Sequence, residues 1–219
     1  MIRGVCFDMD GVLLDTERLC FPMMQQAIGL QGQELSYDRW KTLLGVNLMH
    51  TRASLHTWFG DAVDADRFFQ DWIDVTFRYV HTHGVPKKEG ADDVLRTLRS
   101  RGIQLALCTS NTASVVQEYL HLSGWTDTFD QIVTGDLVHC GKPAPDIYLL
   151  GAKRLGLEST QCAAVEDSVN GVKAAKAAGI EYFSSICCFS TKNNFSGESA
   201  CAATAVCPAD ISGSSTFTT

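Results

Sequence analysis

Short apolar runs alternate with longer stretches that carry one apolar face. Ile2 to Phe7 is the first run, stopped by Asp8-Met9-Asp10-Gly11. Ile103 to Thr109, Phe129 to Thr134, Cys162 to Val165 and Ile180 to Ile186 follow it, each of strand length. Between them, Ala91 to Arg101 places Val94, Leu95 and Leu98 on one helical face, and the Arg101-Gly102 step ends it. Ala113 to Leu122, Pro145 to Leu155 and Ser168 to Ala178 share that spacing, with Gly156 and Gly179 as stop signals after the last two. Strand and helix in strict alternation predict an α/β fold, a doubly wound parallel sheet covered on both faces.

One segment breaks the alternation. From Thr16 to His83 the pattern is helical throughout and dense in aromatics: Trp40, Trp58, Phe59, Phe68, Phe69, Trp72 and Phe77. An insertion of nearly 70 residues after the first strand predicts a helical unit with its own core. Helices packed on the same sheet are the other reading that periodicity allows. The expected division is a core of residues 1–15 and 84–190, an inserted helical domain at 16–83, and a tail at 191–219. In that tail ten of 29 residues are Ser or Thr, three are charged, and no apolar period survives. It reads as an atypical segment, either a genuine tail or the product of a shifted reading frame.

Composition narrows the function classes. The 219 residues hold 18 Lys+Arg against 25 Asp+Glu, a net charge of −7. Proteins that coat nucleic acid or anionic membranes need clustered positive charge, so neither partner is expected. No run approaches the roughly 20 apolar residues of a membrane span, and an acid at Asp8 interrupts any leader-like start. A cytoplasmic protein is expected. Nine cysteines occur without a Cys-x-x-Cys pair, and Cys6 and Cys108 lie inside strand-like runs. Reduced thiols fit better than a zinc site or a disulfide framework.

The chemistry gathers where strands end. Asp8 and Asp10 follow the first strand one residue apart, so strand periodicity lets both carboxylates face one point. Open α/β sheets bind their ligands at that carboxyl edge. Two acids so close repel unless a cation or proton lies between them, although an ordinary acidic turn has the same letters. Gly11 permits a sharp turn whose amides can approach an anion. The second strand ends in Thr109-Ser110-Asn111, a hydroxyl and amides at a helix start, suited to phosphate oxygens. After the third strand, Gly141-Lys142-Pro143 offers a lysine on a constrained loop. The fourth ends in Glu166-Asp167-Ser168, a second acid pair. Hard oxygen ligands from Asp8, Glu166 and Asp167 suit Mg²⁺ together with a substrate phosphate.

These residues in this order resemble the haloacid dehalogenase superfamily, in its branch with a helical cap inserted after the first strand. The resemblance rests on Asp8-Met9-Asp10-Gly11-Val12-Leu13-Leu14-Asp15-Thr16-Glu17, on Thr109, on Lys142 in Gly-Lys-Pro-Ala-Pro-Asp, and on Glu166-Asp167-Ser168 with the following Asn170-Gly171-Val172. It covers residues 1 to about 186. It implies that Asp8 attacks phosphorus to form an aspartyl-phosphate, while Asp10 protonates the leaving oxygen and then activates water. It also implies Mg²⁺ on Asp8, Asp167, the Asp10 carbonyl and, directly or through water, Glu166. Thr109, Lys142 and the amides of Met9, Asp10 and Ser110 would stabilise the transferring phosphoryl. Cap closure would exclude water, with hinges near Leu13 to Thr16 and His83 to Pro86.

Departures from relatives sharpen the expectation. Dehalogenases of the superfamily lack the second aspartate, so Asp10 argues for phosphate chemistry. β-Phosphoglucomutases carry a cap histidine and a cap arginine; by ungapped count Cys20 and Leu48 stand there. Neither can replace those roles at neutral pH, which favours hydrolysis over mutase chemistry. His50, Arg52, His81 and His83 are candidate substrate contacts, though each also fits a solvated helix. Pro22 is expected to kink or restart the first inserted helix. The expectation is a monomeric Mg²⁺-dependent phosphatase acting on a small phosphorylated metabolite. A sugar phosphomutase and a non-catalytic phosphate-binding protein are the alternatives.

Overall fold

The computed structural model describes residues 1–43 and 48–184. Five strands form one parallel sheet: β1 (Gly4–Phe7), β2 (Gln104–Cys108), β3 (Gln131–Val133), β4 (Cys162–Glu166) and β5 (Glu181–Ser184). Their order is β3-β2-β1-β4-β5. The chain therefore builds outward from β1 on one side, then returns past it to build the other. The reversal leaves β1 between β2 and β4, the place where such sheets open a crevice at their carboxyl ends.

Eight helices are described in the same chain: α1 (Glu17–Gly29), α2 (Tyr37–Lys41), α3 (Leu48–Phe59), α4 (Ala65–His83), α5 (Ala91–Ser100), α6 (Ala113–Leu122), α7 (Asp146–Leu155) and α8 (Val169–Ala177). The last four agree with the apolar spacing of the sequence within a residue or two at each end. The part of the fifth predicted strand beyond Ser184 and the tail at 191–219 lie outside the described residues.

Two compact units result, one of Met1–Leu14 with the chain from Pro86 onward, the other of Asp15–Val85. In the first, β1 presents Cys6 to one sheet face and Val5 and Phe7 to the other, all buried. The Cys6 face gathers Cys108, Cys162, Ala106 and Ala164 under α7 and α8, which supply Ile147, Tyr148, Ala152, Ala174 and Ala175. The small strand residues let α7 come close: a Cβ on Gly151 would stand 2.7 Å from the Cys108 sulfur. The three cysteines are free, fully buried and adjacent on β2, β1 and β4.

The second unit is helical among its described residues. Met24, Ala27, Ile28, Leu35, Leu55 and Phe68 form its core, flanked by half-buried Trp40, Trp58, Phe59, Phe69 and Trp72. The unit thus has a core of its own, mainly aliphatic, and only Phe68 among the aromatics is wholly enclosed in it. Asp64 caps α4 by accepting from the amides of Asp66 and Arg67. Of the expected kink or restart at Pro22, a restart does not occur: α1 runs on through it. Pro22 forfeits one hydrogen bond in the second turn, and burial of Leu19, Met23, Met24, Ala27 and Ile28 along one face holds the helix across it.

Candidate active site

The ladder of the sheet fixes the first functional residues. Asp8, one residue past β1, still donates its amide to the Val165 carbonyl at 3.0 Å. Thr109, one residue past β2, does the same to Val133 at 3.0 Å. Both therefore inherit the rigidity of paired strands while their side chains stand at the edge. Beyond Asp8 the chain turns at once. The Met9 carbonyl accepts from the amides of Leu13 and Leu14, and the Gly11 amide donates to the Leu14 carbonyl at 2.8 Å. Gly11 has φ +75°, and a Cβ there would stand 1.7 Å from Asp167 Oδ2. Only glycine satisfies both the turn and the close approach.

Lys142 joins the loop after β3 to this edge. Its ammonium donates to Asp8 Oδ1 at 2.6 Å and also to Glu166 Oε1. Burial alone would pull its pKa down, but Asp8 and Glu166 outweigh that and hold it above the ordinary lysine range. Burial pushes the Asp8 carboxyl up to about 8; the charges of Glu166 and Asp10 add to the rise, and Lys142 opposes it.

Glu166 is wholly buried at the end of β4. Its Oε1 accepts from Lys142 and, at 2.8 Å, from the Tyr148 hydroxyl. Its Oε2 accepts from the amides of Asp167 and Ser168 and from the Ser168 hydroxyl, each at 3.1 Å. Burial would raise its pKa, yet Lys142 and these donors keep it below the usual glutamate range. Ser168 in turn caps α8 by accepting from the Gly171 amide at 3.0 Å. A Cβ on Gly171 would lie 1.8 Å from Glu166 Oε1, so the carboxylate occupies space that only glycine leaves.

Asp8, Glu166 and Asp167 each offer a carboxylate oxygen, and these oxygens all lie within 4.8 Å of one another. The donors are hard and anionic, and Gly11 and Gly171 clear the room that two of the three carboxylates fill. The residues present fit a small divalent cation such as Mg²⁺. The Asp10 carboxylate is not among the three. Its Oδ2 instead accepts from Asn111 Nδ2 at 2.5 Å.

The phosphate candidates are accordingly divided. The Asn111 amide donates to Thr109 Oγ1 at 3.2 Å, and that of Gly11 is engaged in its own turn. Met9 has a buried side chain and can offer only its backbone. Among the residues named on the inserted segment, Arg52 pairs with Asp66 and His83 with the Tyr79 carbonyl. Cys20 directs its thiol to Met24 Sδ at 3.6 Å and packs beside the helical core. Leu48 is exposed, and the neighbouring Gly45 and Val46 lie outside the described residues. Tyr148 was not singled out by the sequence. Its signal was a tyrosine on the buried face of the helix that follows the lysine loop, since a buried phenol needs a partner. Gly171, inside a helix, likewise marked a close approach.

Similarity to known proteins agrees with this edge. A family model for haloacid dehalogenase-like hydrolases matches residues 2–179. A phosphorylated carbohydrates phosphatase of Thermotoga maritima is 33% identical over 180 residues, 82% of this chain and 83% of the relative. A fructose-1-phosphate phosphatase of Escherichia coli is 28% identical over 193 residues, 81% of this chain and 93% of the relative. Among solved structures, a candidate β-phosphoglucomutase from Thermotoga maritima superposes with TM-score 0.74 at 32% identity, covering 84% of this chain and 85% of that one. CbbY from Rhodobacter sphaeroides, in complex with phosphate, gives TM-score 0.73 at 26% identity, covering 84% and 86%. With the match running from β1 to the end of α8, and with the parallel sheet and its edge acids in place, the chain belongs to the haloacid dehalogenase-like hydrolases.

Proposed function

We propose that the protein is an Mg²⁺-dependent phosphatase that hydrolyses small phosphomonoesters, sugar phosphates first among them, through an aspartyl-phosphate. The observation that carries this reading is the convergence of Asp8, Glu166 and Asp167 at one sheet edge, with Lys142 paired to the first two. The names of the relatives supply the substrate class, phosphorylated carbohydrates and fructose 1-phosphate.

In the proposed reaction an Asp8 oxygen bonds to phosphorus as the ester P–O bond breaks. The leaving oxygen takes a proton from Asp10. Asp10 then accepts a proton from water as the water oxygen attacks phosphorus, which frees phosphate and restores Asp8. Lys142 orients Asp8 and offsets charge on the phosphoryl group, with the Thr109 hydroxyl and the amides of Met9, Asp10 and Ser110. Mg²⁺, held by Asp8, Asp167, the Asp10 carbonyl and Glu166 directly or through water, would neutralise phosphate charge. The division into a core of residues 1–15 and 84–190 and a helical cap of residues 16–83 belongs to the same proposal.

Hydrolysis is preferred to mutase chemistry because Cys20 is engaged in packing and Leu48 is aliphatic. The test is phosphate release from a panel of sugar phosphates, nucleotides and small acid phosphates, with and without Mg²⁺, beside Asp8→Asn. Metal-dependent release that falls by about 10³-fold or more in the variant is expected, since the nucleophile is lost. Unchanged release from Asp8→Asn would overturn the assignment. Isomerisation of a sugar phosphate without release would replace it with a mutase.

A further inference from the structure

We infer that the Asn111 side chain is a positioning residue for Asp10, holding its carboxyl in place for proton delivery to the leaving oxygen. The inference rests on the phosphatase reading and adds to it a residue whose local sequence suggested a different partner, the phosphate.

The geometry is specific. Asn111 Nδ2 donates to Asp10 Oδ2 at 2.5 Å across 101 residues of chain. The Asp10 backbone is already fixed by the turn that Met9, Gly11 and Leu14 close, which leaves the side-chain torsions to be set. An amide hydrogen on Oδ2 restrains them, with Oδ2 as its acceptor.

Asn111 is itself held on its loop from both sides. Its amide donates to Thr109 Oγ1, and its carbonyl accepts from the Gly135 amide at 2.8 Å. A Cβ on Gly135 would stand 2.3 Å from the Ser110 carbonyl oxygen, so the loop after β3 reaches Asn111 only because residue 135 is glycine. Asp136 Oδ1 accepts from the Ala113 amide at 3.2 Å and ties the two loops a second time. This is the framework that a group with one orienting task requires.

Positioning and phosphate binding separate by leaving group. An alkoxide needs a proton to depart and 4-nitrophenolate does not. The experiment measures kcat/KM of wild type, Asn111→Ala and Asn111→Gln with 4-nitrophenyl phosphate and with the alkyl phosphate cleaved fastest in the panel, plus inhibition by inorganic phosphate. Asn111→Ala is expected to lose about 30- to 100-fold on the alkyl ester, below the full worth of proton transfer, and under about 3-fold on the nitrophenyl ester. The phosphate inhibition constant stays unchanged, and Asn111→Gln recovers part of the loss. Equal losses on both esters, a weakened phosphate inhibition, or no loss at all would each overturn the inference. If Asn111→Ala does not fold, Asn111→Ser removes the amide while keeping a small polar side chain and carries the same comparison. Failure of the phosphatase reading shows earlier and differently, as absent release by the wild type or full release by Asp8→Asn, and the inference then falls with it.

Discussion

Glu166 is a wholly buried acid whose two oxygens both receive donors from the protein. A buried carboxylate is tolerated only when its lone pairs are met, and here a lysine, a phenol, a serine and two amides meet them. The Tyr148 hydroxyl can be deleted almost isosterically. Tyr148→Phe is expected to destabilise the fold by about 1–2 kcal/mol, because the bond is to a charged acceptor that keeps its other partners. In a chain of this size the thermal midpoint should fall by about 3–6 °C, read by calorimetry. An unchanged midpoint would show that the phenol contributes packing alone. Neither this bond nor that of Asn111 to Asp10 was legible in the sequence, since partners 18 and 101 residues apart leave no local periodicity. Asp8, Lys142, Glu166 and Asp167 were legible because each ends or follows a strand, where residue type alone indicates chemistry.

Elements show the complementary pattern. Strands and the helices α5 to α8 were readable because one period governs each and glycine stops close them. At Pro22 the local rule allowed a restart, and the buried face that carries α1 past it rules that out. Glycines inside or at the end of helices make the same contrast measurable. Ala is the better helix former by about 1 kcal/mol, so at Gly29, where nothing lies within 4 Å, Gly29→Ala should stabilise or leave stability unchanged. At Gly171 the Cβ would enter the Glu166 carboxylate, and displacement of that acid outweighs the gain in propensity. Gly171→Ala should lower Mg²⁺-dependent phosphate release by about 100-fold or more and also lower the thermal midpoint, consistent with losing a buried charged network. Full activity in that variant would remove Glu166 from the site.

At the scale of the whole molecule, acids concentrate at one place on the sheet edge. Asp8 and Glu166 share the Lys142 ammonium and Asp167 lies beside them, an excess of acids over bases in a largely buried place. The raised Asp8 pKa expresses that excess, first through burial and then through its acidic neighbours. A divalent cation matches it, and a ligand that binds only the folded state stabilises it by mass action, about 2.7 kcal/mol at 100 times its dissociation constant. Calorimetry should therefore record a rise of several degrees on adding Mg²⁺, reversed by a chelator and lost in Asp167→Asn. A midpoint indifferent to Mg²⁺ would argue that the acids hold no cation.

Behind the same edge lie the thiols of Cys6, Cys108 and Cys162, side by side on the strands that carry Asp8, Thr109 and Glu166. Their mutual hydrogen bonds and burial keep Cys6 and Cys162 in the protonated, unreactive form. A thiol reagent in water can meet the exposed Cys140 at any moment, but it meets these three only when the sheet parts. Alkylation at Cys6 is thus a dated mark of an opening event. The chain carries within its catalytic sheet a chemical clock for how often that sheet comes undone.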